Sequence, residues 1–226
     1  MKVFLIACGA AVVIWLFVLM ARHAVRLRRE YVAAMRGVAE RFGLRFSEQR
    51  LTEFDERYPQ FDAFARGSDR YAYDTLRGAV STLDADCAIT VGTYHYETKD
   101  SDDDTTTHRF PFLLLQLPWP TPQLELRPES FLDRVAGWFG ANDIDFESEQ
   151  FSRMYHVSAS DKRFAYDVLH PRTIEFLQKW RPHLLQICDG HLLLLDGSGT
   201  WDAEECANVI DFVLAFCELW PRHLQS

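Results

Sequence analysis

Nineteen consecutive residues near the amino end, Val3 to Ala21, carry no formal charge, and arginines begin at once with Arg22. An α-helix rises about 1.5 Å per residue, so the run covers roughly the 30 Å of bilayer hydrocarbon. Lipid cannot satisfy peptide N–H and C=O groups, which leaves the helix as the form open to a lone apolar segment. The stretch predicts a transmembrane anchor over residues 1–21. Met1 and Lys2 precede it, whereas Arg22, Arg26, Arg28, Arg29 and Arg36 follow. This bias orients the C-terminal body toward the cytoplasm, with Arg22, Arg26, Arg28 and Arg29 at the lipid headgroups. In a bacterium that is a single-pass protein of the inner membrane. A cleaved signal peptide would have a shorter apolar core and a more basic start. Leu5-Ile6-Ala7-Cys8 imitates a lipoprotein box, but only seven residues precede Cys8. Ala7 and Ala11 are small residues one turn apart, a spacing that lets two spans approach closely.

The helix is expected to continue as a basic juxtamembrane segment over 22–43. Tyr31, Met35, Val38 and Phe42 form an apolar stripe, and Gly43 is a natural stop. The stripe needs a partner, either the chain's own domain or a second copy of the helix. Residues 44–226 are enough for one sizeable domain, with the prolines at 118–122 as the seam if there are two. Aromatics at 14% and hydrophobics at 48% indicate a packed core. Six of the 24 basic residues and one of the 33 acidic ones precede Gly37, leaving eighteen against thirty-two, a balance of −14. Nucleic acid is therefore not an expected partner, because binding it requires basic groups on phosphates. The five cysteines form no C-x-x-C and show no metal-ligand spacing. They read as reduced core thiols.

The fold class is α+β: a mostly antiparallel sheet with packed helices. Strands are predicted at 44–47, 70–80, 86–97 and 108–117, the last two forming a long hairpin around a polar loop at 99–107. Pro111 lacks a ladder donor, which places it at an edge or bulge. A strand at 123–127 precedes a helix at 129–139. Residues 143–149 alternate carboxylates with Ile144 and Phe146, and 151–158 read as another strand. Ser160 suits the cap of a helix over 161–169, and Pro171 the first turn of the next, running to Arg181. Asp189-Gly190 between two apolar runs marks a hairpin. A final helix spans about 202–219.

Few motifs carry chemistry. Asp196-Gly197-Ser198-Gly199-Thr200 lies between a strand and a helix, but it matches no phosphate loop, and Asp202, Glu204 and Glu205 behind it would repel a phosphate. It reads as a turn and N-cap. Asp100, Asp102, Asp103 and Asp104 lack the Gly and Glu of a calcium loop and read as a hairpin tip. No metal or other cofactor is expected. The weak candidates for a metal site are His95 and His108, facing each other across the long hairpin, with Asp100, Asp102 and Asp104 beside them. No nucleophile or metalloprotease motif is present in the sequence.

The stretch Asp143-Ile144-Asp145-Phe146-Glu147, followed by Phe151-Ser152, Tyr155, Val157, Asp161, Ala165, Leu169 and Pro171, resembles one in uncharacterised bacterial membrane-anchored proteins with a short anchor, a basic helix and an α+β body. The resemblance implies location and fold, with no active site to carry over. The leading functional expectation is a non-enzymatic domain presenting a protein-interaction surface at the cytoplasmic face of the membrane. It would bind a protein partner or a second copy of itself, with the bilayer as its other partner. The competing expectations are a membrane-tethered, metal-dependent enzyme and a module that binds lipid or a small molecule in an aromatic-lined cavity. An enzyme needs converging carboxylates and histidines, whereas a docking module needs an exposed apolar patch or an open sheet edge.

Overall fold

One 41-residue helix, α1 (Lys2–Phe42), runs through both the apolar stretch and the basic segment behind it. The structure is a computed structural model. It describes residues 2–101, 103–128, 142–144, 146, 148–197 and 199–224, with side chains of α1 described from Ile14 onward. Among the described residues no helix is long and apolar enough to cross a membrane. The side chains of residues 3–13, Ala7, Cys8 and Ala11 included, lie outside the described set. From Ile14 to Met20 seven consecutive large apolar side chains are 43% to 67% exposed.

The later turns of α1 are docked. Met35, Val38 and Ala39 are buried, with Tyr31 and Phe42 packed at the margin, so the stripe's partner is the chain's own domain. Arg41 adds an ion pair to Asp211 at 2.7 Å. Gly43 takes a φ of 66°, and Leu44 N–H closes on the Ala39 carbonyl at 2.8 Å, which ends the helix.

Beyond it the described residues form a nine-stranded sheet in which every pair is antiparallel. In chain order the strands are β1 (Arg45–Ser47), β2 (Ser68–Thr82), β3 (Ala85–Lys99), β4 (Thr105–Gln116), β5 (Leu124–Pro128), β6 (Asn142–Asp143), β7 (Tyr155–Ala159), β8 (Leu184–Cys188) and β9 (His191–Leu195). Their spatial order is β1-β2-β3-β4-β9-β8-β5-β7-β6. The strands on either side of the prolines at 118–122 lie in this one sheet. The β8–β9 turn has positive φ at both Asp189 (46°) and Gly190 (70°), as its sequence demands.

The two faces are covered differently. On the first, Leu113 and Leu115 of β4 join α1, α3 (Glu149–Met154), α4 (Lys162–Val168), α5 (Pro171–Trp180) and α6 (Ala203–Glu218) in a largely aliphatic core. On the second, Phe112 and Leu114 meet Phe54 of α2 (Phe54–Arg57), then Phe61 and Phe64 around a 3₁₀ turn. Both faces of β4 are thus buried, so its sequence is a continuous apolar run instead of an alternation.

Several sequence expectations are corrected. Pro111 sits in central strand β4, paired with Thr93. It needs no bulge: the β9 ladder stops at Phe112↔Leu195, where a donor from residue 111 would be wanted, and Asp196 N–H bonds back to the Pro111 carbonyl at 3.2 Å. The strand expected from residue 151 begins at Tyr155. Ser148 accepts from Phe151 N–H at 3.3 Å and caps α3 over 149–154. In the ladder at 143–149, Asp143 lies in β6 and Glu149 opens α3, while Asp145 and Glu147 lie outside the described residues. Asp161, not Ser160, caps α4; the Ser160 hydroxyl accepts from Gln123 N–H instead. The helix expected at 129–139 also lies outside the described residues.

Candidate functional site

Strand β2 gains two extra residues relative to β3. Between Ser68↔Glu97 and Tyr71↔His95 it advances three positions while β3 advances two, and the same happens between Tyr73↔Thr93 and Leu76↔Val91. Each bulge holds an aspartate in the left-handed region, Asp69 at φ 47° and Asp74 at φ 51°. Aspartate is one of the few non-glycine residues that tolerates this conformation, and a bulge turns a side chain away from the regular alternation.

Asp74 turns onto α1. It is 6% exposed and takes a two-pronged bond from the Arg28 guanidinium, 2.5 Å from Nη1 and 2.6 Å from Nη2. Glu48 accepts from the same guanidinium at 2.8 Å. These bonds, Asp74's first, hold the Arg28 pKa far above its ordinary value. Beside the pair, burial and then the Asp74 charge push up the Tyr31 phenol.

Asp69 turns onto His95. Its Oδ2 lies 3.5 Å from His95 Nε2, and Glu97 Oε1 lies 3.8 Å from the same nitrogen. The His95 ring is 6% exposed and stacks on Tyr71 at 4.4 Å and 21°. Arg50 covers the Tyr71 ring, its Cζ 4.2 Å from the ring centroid. Among the described residues neither His95 nitrogen has a hydrogen-bond partner. An unsatisfied buried polar atom costs about 1–3 kcal/mol, so an orphaned imidazole calls for an explanation.

The sequence-derived candidates separate. His108 pairs with Tyr96, not with His95, so the two histidines face opposite sides of the sheet. His108 stacks on Tyr96 at 4.7 Å and bonds to Thr98 Oγ1 at 2.7 Å. Asp100 closes the hairpin tip, accepting at Oδ1 from Asp104 N–H at 3.1 Å, and Asp102 lies outside the described residues. Among the collar arginines, Arg28 is held by the domain, Arg26 pairs with Glu30 at 2.8 Å, and Arg22 and Arg29 are exposed. Sequence reasoning missed Asp69 and Glu97. The signal available was His95-x-Glu97, two strand positions that share a face. Asp69 had none, since nothing in the sequence fixes a bulge there.

The second face carries a cavity of about 750 Å³. Tyr96, Phe110 and Leu184 supply apolar wall, while Asp62, Arg66 and Gln186 bring polar groups. Gln186 is buried and donates to Glu125, also buried, at 2.7 Å, and among the described residues Gln186 Oε1 has no partner. At the rim, Asp196 accepts from Gly197 N–H at 2.7 Å and Trp201 Nε1–H at 3.2 Å, and it pairs with His183 at 2.8 Å. Asp202 and Glu205 form a reciprocal capping box on α6. Asp196 and Gly197 thus close a local turn ahead of a capped helix.

The sequence matches no protein-family profile and no curated protein. A solved structure does resemble it: the crystal structure of the mycobacterial trehalose monomycolate transport factor A, TtfA, with a TM-score of 0.53. The two share 10% sequence identity, and the match covers 84% of this chain and 95% of that one. The likeness is one of fold.

Proposed function

We propose that this chain is a membrane-tethered, non-enzymatic docking domain. Helix α1 anchors it by residues 3–21, its arginine collar lies at the headgroups, and the body stands on the cytoplasmic side of a bacterial inner membrane, where it binds a protein partner. The observation that carries the reading is the contrast along one helix. Seven consecutive apolar side chains from Ile14 to Met20 are exposed, while Met35, Val38 and Ala39 are sealed into the domain. A contiguous apolar surface of that kind belongs against lipid or protein, and the arginines behind it favour lipid. The solved structure of like fold, TtfA, is a transport factor by its description, which is in keeping with a non-enzymatic role.

Fractionation and crosslinking test this. The full chain is expected in the membrane fraction, resistant to high salt, and Leu16→Arg with Val18→Arg is expected to release it. A photocrosslinker on the exposed face of the body should capture one defined protein in intact cells. A full chain that stays soluble, or a body digested by protease added outside spheroplasts, overturns the reading.

The cavity on the second face favours a second reading, in which the body binds a lipid or another small amphipathic molecule. Its apolar wall and charged rim, Tyr96 and Phe110 against Asp62 and Arg66, suit a ligand with both characters. Lipid extracted with the purified chain, and lost on Phe110→Arg, would support it.

A further inference from the structure

We infer that Asp69, His95 and Glu97 form a binding site for one transition-metal dication, with Zn²⁺ the best match. The site is independent of the docking function proposed above. One ligand atom from each of the three residues lies within 4.8 Å of the others. The separations from His95 Nε2, 3.5 Å to Asp69 and 3.8 Å to Glu97, exceed the 2.7–3.2 Å of a hydrogen bond. They suit donors around a shared ion. Zinc bonds of about 2.0–2.1 Å at tetrahedral angles put neighbouring donor atoms ~3.4 Å apart.

A pair of surface carboxylates alone would mean little. What distinguishes this pair is His95. Its ring is nine-tenths buried, its Nε2 lies within 3.8 Å of both carboxylates, and among the described residues neither nitrogen is hydrogen-bonded. A metal on Nε2 gives that lone pair its partner. The Tyr71 ring, stacked face to face and capped by Arg50, fixes the imidazole plane.

The donor set selects the metal. Carboxylates alone suit Mg²⁺ and Ca²⁺, whereas an imidazole nitrogen shifts preference toward zinc and its neighbours. His95 and Glu97 come from alternate positions of β3, and the bulge in β2 brings the third ligand across. The Asp69 side chain is 59% exposed, so the fourth coordination position opens to solvent, where a water completes the shell.

The test uses the untagged full-length chain in detergent, stripped with a chelator and titrated with Zn²⁺ against a chromophoric competitor near neutral pH. One equivalent should bind. Asp69→Asn should weaken binding by ~10-fold or more and His95→Gln should abolish it, whereas His108→Gln, on the opposite face, should leave it unchanged. Asn tolerates the same left-handed backbone at an exposed position, so Asp69→Asn keeps the fold and isolates the ligand. Co²⁺ in place of Zn²⁺ should show visible absorption of a low-coordinate site, lost in Asp69→Asn. Stoichiometry far below one, or equal affinity in Asp69→Asn and the unaltered chain, overturns the assignment.

Discussion

The two bulges of β2 use one device for two purposes. In both, an extra residue puts an aspartate at positive φ and turns its carboxylate to one neighbour. At Asp74 the neighbour is Arg28, and the arrangement is closed: two short bonds, 6% exposure, and α1 laid over the top. At Asp69 the neighbour is His95, and the arrangement is open: contacts too long for hydrogen bonds and a carboxylate more than half exposed. A salt bridge meets the charge requirement at the first, and the second is left wanting a cation. The closed bulge joins helix to sheet and should carry stability. The open one should carry little stability and a binding function.

The largest effect that would sharpen this contrast is alkaline. At the closed end Tyr31 feels both Asp74 and Cys206, and burial pushes the Cys206 thiol from 9.0 up to about 12. A folded pKa above the unfolded one means the folded state holds its proton more tightly. The contribution is complete below pH 9 and is lost as pH climbs toward 12. At about 1.4 kcal/mol per pH unit, the cysteine alone accounts for roughly 4 kcal/mol over that window. Melting temperature should be flat up to pH 9 and fall above it, with a shallower fall in Cys206→Ala. An equally steep fall in that variant would show that the closed end is not where the protons are held.

Next comes the ion pair. Arg28→Ala strands a 6%-exposed carboxylate and should cost about 3 kcal/mol in denaturant unfolding. Asp74→Asn should cost less, because the guanidinium side chain is 43% exposed and keeps Glu48. Equal costs would break the account, since they would mean that Asp74 is not buried behind α1.

Legibility in the sequence follows the same divide. Elements set by local chemistry were readable: the Gly43 stop, the Asp189-Gly190 hairpin, and the stripe of Met35 and Val38. The α+β class and the antiparallel pairing followed from strand length and turn signals. What failed was set by pairing partners. Pro111 fits a central strand because β9 ends beside it, a fact of register that no residue near 111 announces. Residues 151–154 look extended until Ser148 is seen capping them. His95 and His108 looked like partners because the hairpin's register was unknown, and one position of slip exchanges the faces. Asp69 was invisible as a ligand for a related reason. Bulges without glycine are decided by the whole ladder: the first on β2 exchanges the faces of the alternation and the second restores them.

A smaller effect probes how the open bulge is held. Gly67 enters it at φ 61°, and a Cβ there would run into the Glu97 carbonyl. Gly67→Ala should cost about 2 kcal/mol from backbone strain and the forced shift. It should also pull Glu97 away from His95 and weaken zinc binding. Lost stability with unchanged metal affinity would uncouple the turn from the site.

The smallest expected effect on stability is the most telling. Asp69→Asn keeps the side chain's size and its tolerance of positive φ, and it removes only an exposed charge. The Asp69 side chain is 59% exposed and its contact with His95 is long, at 3.5 Å, so the metal-free chain should change by less than about 0.5 kcal/mol. With zinc present the picture reverses. The unaltered chain gains stability as the ion binds only its folded form, rising with the logarithm of free zinc, while Asp69→Asn gains far less. Two melting curves with and without zinc, on two proteins, therefore separate the bulges. If Asp69→Asn destabilises the metal-free chain as much as Arg28→Ala does, Asp69 is a second structural clasp, and the two bulges differ in exposure alone.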